Sequence, residues 1–238
     1  MRKRFERGII SLLAASFVLL VSAQAQEYAP AFPRAGAVKA KESDSFIIWR
    51  VTREKGRSTG MHKVELDQVS VTIVGGAVKF TKPDGTWRIE EERLGSVRFD
   101  PKGTVVAEEG LSDEPSQVTV FQIKDVALPP WPTTEGIAGH FPRVGAIKLF
   151  ETDRFTVWEQ TWAPGVLLPL HLHYLRGAAV FLDGGKIRHP ITSKGIAGTA
   201  ESRERGEIIL NEAPIPAPHE EIEEEGTPRE VYVEIKNH

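Results

Sequence analysis

The chain has 238 residues, 26% of them charged and 40% hydrophobic, with a formal net charge of -3 and no cysteine. The lack of cysteine excludes a disulfide-stapled scaffold and thiolate chemistry, so burial and hydrogen bonding alone must hold the fold. A mildly acidic balance offers no basic surface for nucleic acid or an anionic membrane.

In chain order, the first predicted element is an export signal. Arg2, Lys3, Arg4 and Arg7 precede an apolar run from about Gly8 to Val21, closed by Ala23-Gln24-Ala25. That run is shorter than the ~20 residues that cross a bilayer, and a small-residue cleavage site follows it, so cleavage is expected after Ala25. Removal of residues 1–25 takes away four basic and one acidic side chain, leaving 213 residues with a net charge of -6. The mature chain is expected in the periplasm or outside the cell, with no membrane contact after cleavage.

The remainder is a tandem duplication. At a constant offset of 109, Phe32, Pro33, Arg34, Gly36, Glu42, Asp44, Phe46, Trp49, Gly56, His62, Gly75 and Gly76 meet the same residue in a second copy that starts at Phe141. Beyond that the register slips, but "LGSVRF" answers "RGEIIL" and "VTVFQIK" answers "VYVEIK". Two domains are predicted, 32–124 and 141–236, joined by a proline- and glycine-rich linker over 125–140. Within each, "FIIWRV", "VSVTIV", "FTVWEQTW", "AAVFL", "EIIL" and "VYVEI" are short β segments separated by Gly-Gly, Asp-Gly and proline turns. No long amphipathic helix interrupts them, so the fold class is all-β, a sandwich or barrel.

In "GVLLPLHLHYLRGAAVFLDGG", His171 and His173 alternate along a strand and therefore project to one face. Two imidazoles on an inward face are ready-made metal ligands once a third arrives, and His219, just before the closing strand, is the candidate. These residues resemble the motifs of the cupin superfamily: Gly165, His171, His173 and Gly184 or Gly185 follow its first motif, and Gly206 with His219 approximates its second. The resemblance implies two tandem jelly-roll barrels, a bicupin, with His171, His173 and His219 holding a divalent metal (iron, zinc, manganese or nickel) in the second. The chain departs from the pattern where the family has a glutamate ligand, because Gly177 or Ala178 stands there, and Glu220 is the candidate replacement. Thirteen positions separate Gly206 from His219 where the family has eleven. The first unit retains only His62; Val64 replaces the second histidine, and Glu108 is the rough counterpart of His219, so this barrel is expected to be degenerate.

Other residues carry weaker signals. Arg176 could pair with an acidic substrate, although an arginine there also suits a solvated turn. Trp49 and Trp158 are expected to pack in the two cores, while Trp162 and Trp131, which have no counterparts, suit core packing or a cavity mouth. His140 and His189 are expected at the surface, and the acidic run Glu220 to Glu225 as a solvated loop. Two functions stay open: a metal-dependent enzyme acting on a small molecule, or a non-catalytic bicupin that binds a small ligand or only assembles. Family habit implies pairing of two copies through edge strands. No phosphate loop, nucleophile elbow or paired-acid signature names another chemistry.

Overall fold

The computed structural model describes residues 27–129, 131–190, 198, 200–212 and 218–236; the export signal and its cleavage site lie outside them. The first unit contains β1 (Ala29–Pro30), β2 (Ala37–Glu42), β3 (Phe46–Arg53), β4 (His62–Lys63), β5 (Asp67–Val74), β6 (Gly76–Thr81), β7 (Trp87–Glu92), β8 (Val97–Asp100), β9 (Val105–Gly110) and β10 (Ser116–Ile123). The second contains β11 (Ala138–Gly139), β12 (Ala146–Glu151), β13 (Phe155–Thr161), β14 (Leu167–Leu172), β15 (Gly177–Arg188), β16 (Glu201–Arg203), β17 (Ile208–Asn211) and β18 (His219–Ile235). No helix occurs among the described residues, and the all-β jelly-roll expectation holds.

The first unit folds as two facing five-stranded sheets, ordered β1-β4-β9-β6-β7 and β2-β3-β10-β5-β8. In the second, β18 does the work of both β9 and β10. Its first residues pair with β14 and its last with β13, while β15 pairs along its length.

The duplication extends to individual bonds. β1 pairs parallel with β4 through Ala29 and His62, and β11 with β14 through Ala138 and His171, both pairs offset by 109. The segment expected as a linker thus ends in a strand that belongs to the second barrel. Phe32 stacks on Trp49 at 4.7 Å, and Phe141 on Trp158 at 4.9 Å. Gly36 and Gly145 both have φ of 78°, and a Cβ would stand 2.4 Å from Thr52 O and 2.2 Å from Thr161 O respectively. Glycine is required there twice over, by conformation and by contact.

Strand alternation divides the apolar residues in an uneven way. The largest core cluster takes Phe46, Ile48, Val69, Val71, Phe121 and Ile123 from the first unit and Phe155, Val157, Val180, Leu182, Val231 and Val233 from the second. Their strand neighbours point the other way: Arg53, Gln68, Ser70 and Thr72 in the first unit, and Gln160, Glu230, Tyr232 and Glu234 in the second, are buried and polar. The dominant apolar core therefore lies between the two units, while the opposite strand faces mix these buried polar groups with smaller apolar clusters such as Trp49, Val51, Val118 and Val120. Each face of such a strand is buried, which is why "VYVEI" reads as nearly continuous apolar sequence.

Candidate metal centre

β14 delivers His171, the chain just beyond its end delivers His173, and β18 begins at His219, directly opposite His171 in the antiparallel register. The three predicted ligands do converge. Ring centroids are 4.4 Å apart for His171 and His219, 5.5 Å for His171 and His173, and 5.3 Å for His173 and His219. Glu221 joins them, and one ligating atom from each of the four residues lies within 4.8 Å of the others.

Glu221 was not the carboxylate expected. β18 starts at His219, so residues 219 and 221 share the inner face and Glu220 faces away. The pocket therefore contains a carboxylate. At Gly177 a Cβ would stand 2.2 Å from the Tyr232 ring, so tyrosine fills that space.

Neighbours fix the orientation of each group. His171 Nδ1 donates to Pro169 O at 2.9 Å, which fixes the tautomer whose lone pair is on Nε2. Arg143 Nη1 donates to that Nε2 at 3.1 Å and to Glu221 Oε2 at 2.9 Å. Trp162 Nε1 donates to the same Oε2 at 2.8 Å, so Oε1 is the oxygen left facing the histidines. The Asn211 amide nitrogen lies 3.3 Å from His173 Nδ1 and 2.9 Å from the Tyr232 hydroxyl.

The charge states suit a cation. Burial lowers His171 to about 4, against the raising effect of Glu221, and burial holds His173 well below the usual value. Burial also works to raise Glu221, yet Arg143 and the neighbouring histidines keep its carboxyl well below the usual range. Near neutral pH His171 and His173 are neutral imidazoles and Glu221 is a carboxylate, the protonation states in which such groups ligate. By donor chemistry and spacing the residues fit a divalent ion, with the Arg143 guanidinium as a close cationic neighbour.

A cavity of ≈ 410 Å³ opens beside this cluster, lined by His140, Trp162, Phe181, Asn211, Glu230 and Tyr232 among others. Glu230 is pushed up to about 8 by burial. Arg176 does not reach the cavity: it donates to Pro129 O and lies over Trp131, so its expected contact with substrate has no support in its position. His140 and His189 are not surface residues as expected. His140 is buried with its ring 3.7 Å from that of His173, and His189 lines the cavity 5.3 Å from His219.

No known family model and no curated protein matches the sequence. Solved structures do match in shape. A cupin 2 conserved barrel domain protein from Leptotrichia buccalis aligns with a TM-score of 0.54 and 12% identity over 84% of this chain and 88% of its own. Protein Ylba from E. coli gives 0.59 and 14%, over 85% of this chain and 83% of that one. Oxalate decarboxylase from Bacillus subtilis, in a structure described by its Mn(II) centers, gives 0.52 and 15%, over 85% and 72%.

The chain has the cupin fold.

Superposing its two cupin barrels through their shared register corrects the sequence alignment. His62 pairs with Val106 as His171 pairs with His219, so Val106 is the counterpart of His219, and Glu108 that of Glu221. Arg34 bonds His62 Nε2 at 2.9 Å and Glu108 at 3.3 Å, as Arg143 bonds His171 and Glu221. Where the second cupin barrel has Trp162, the first has Arg53, which also reaches Glu108, at 3.0 Å. The first barrel thus surrounds its glutamate with Arg34, Arg53 and Arg98, and Val64 and Val106 stand where the second has His173 and His219. Among the described residues only the second gathers a metal-ligating group.

Proposed function

We propose that the second barrel binds a divalent metal through His171, His173, His219 and Glu221 and presents it to a small molecule in the adjoining cavity. The observation that carries this reading is the convergence of four potential donor atoms within 4.8 Å of one another. A bound divalent ion would supply Lewis-acid polarisation of an oxygen-bearing ligand. Iron, zinc, manganese or nickel suits a mixed imidazole and carboxylate donor set, and the Mn(II) centers of the structurally similar oxalate decarboxylase agree with such a choice.

Two carboxyls of opposite character favour catalysis over mere storage. Glu221 is held ionised while Glu230, on the same cavity, is kept protonated near neutral pH, the pairing that separates a charge-stabilising group from a proton donor. The second reading, a non-catalytic binding bicupin, draws support from the first barrel, whose interior is filled by Arg34, Arg53 and Glu108. The amino-terminal signal supports action in the periplasm or outside the cell. Thermal melts of the mature protein with Mn2+, Fe2+, Zn2+ or Ni2+, each repeated with a panel of small acids and sugars, test the proposal. A rise in Tm with at least one ion, and a further rise with one class of small molecule, is the expected result.

A further inference from the structure

His140 is buried at 4% exposure, and neither of its ring nitrogens has a hydrogen-bond partner among the described residues. Leaving such a group unsatisfied costs about 1–3 kcal/mol, and the fold does not need it. At the equivalent place in the first barrel, 109 residues earlier, stands Ala31, equally buried and next to the same parallel bridge. The second barrel therefore carries three histidines where the first carries small or apolar residues: His140 for Ala31, His173 for Val64 and His219 for Val106. Two of these three belong to the metal-ligating group. His140 does not, because it is outside the set whose donor atoms lie within 4.8 Å of one another. Instead it packs against the His173 ring at 31° and lines the cavity.

The geometry points to His140 as the hydrogen-bonding anchor of a small carboxylate-bearing molecule in this cavity. Charge accounts for the class of molecule. Arg203 is paired with Glu201 and Glu207, and Glu221 with Arg143, so the charged side chains around the cavity carry one negative charge in excess. Glu230 adds no charge near neutral pH. A divalent ion in the four-residue set would reverse that excess and leave one net positive charge, and in so buried a place an anionic molecule is preferred over a neutral one. A neutral imidazole beside it offers one donor and one acceptor to the carboxylate or to a hydroxyl next to it. The choice of an anion rests on the metal reading; the anchoring role of His140 rests on the orphaned ring.

Calorimetric titration of glycolate into cobalt(II)-loaded and metal-free protein tests the inference, using wild type, His140→Ala and His140→Gln. His140→Ala restores the residue of the first barrel and should fold, with a Tm equal to or above that of wild type. It should take up cobalt as wild type does, yet bind glycolate at least about tenfold more weakly, with His140→Gln recovering part of the loss. Glycolate affinity unchanged in His140→Ala, or no glycolate binding by the loaded wild type, overturns the inference. Failure of wild type to take up cobalt contradicts the metal reading alone, and the His140 effect is then read from the metal-free titrations.

Discussion

The guanidinium of Arg143 lies 2.9 Å from Glu221 Oε2 and 3.1 Å from His171 Nε2, so a cation already stands against two of the four prospective ligands. Arg143 and Glu221 are both buried, and removing one partner of a buried ion pair costs about 3–5 kcal/mol. Arg143→Met should therefore lower the Tm of metal-free protein strongly, while metal affinity rises about tenfold because a like charge is gone. Melting curves with and without added ion check both halves. Glu230, pushed up to about 8, and Glu234, up to about 7, hold protons more tightly folded than unfolded, where 4.5 is usual. The stability they contribute is complete below pH 4.5 and is lost as pH rises through 7 and 8. His171 has the opposite sign: lowered to about 4 from 6.5, it favours the unfolded state as pH falls below 6.5. His140 and His173 are lowered by burial in the same sense, so below pH 6.5 three imidazoles outweigh two carboxyls, and metal-free protein should be most stable near pH 6.5 and weaken by a few kcal/mol, as an order of magnitude, towards pH 9. Melts across that range should show the alkaline decline flattened in Glu230→Gln.

At the scale of elements, β18 decides the site, and it was only half legible in the sequence. "HLH" announces itself, since strand alternation puts His171 and His173 together, and His219 stands alone in a plausible place. Glu221 was hidden because the run Glu220 to Glu225 reads as a solvated loop. It is a strand instead, in part because β15 extends to Arg188 and sets Lys186 against Glu225 and Arg188 against Glu224. Arg143 was visible as a repeated Phe-Pro-Arg but carried no periodic signal, and His140 follows a two-residue strand too short to show one. The absent family glutamate has a physical counterpart in the close approach of Tyr232 to Gly177. Gly177→Ala would drive its methyl into that ring, and a cost of about 1–3 kcal/mol is expected, as for other overpacked core sites. Urea denaturation of the variant measures it, and Tyr232→Phe in the same background should not relieve the clash, because the ring carbon lies closest.

On the scale of the whole molecule, the duplication gathers a metal-ligating group, among the described residues, in the second unit alone. The all-β class and the two-barrel plan follow from the repeat and the spacing of the strands, but the place of the main core does not. It lies between the units, because strands of both turn one apolar face toward each other. Phe121, fully buried in that core on the side of the first barrel, is far in sequence from every proposed ligand. Phe121→Ala should cost about 3–5 kcal/mol, and calorimetry should show a single transition in which metal is released together with both barrels. The most direct test of the central claim is the metal content of purified mature protein beside a His171→Ala, His173→Ala double variant. Stoichiometric divalent metal in wild type and its loss from the variant is the predicted result; equal metal content in the two, whether present or absent, would contradict it.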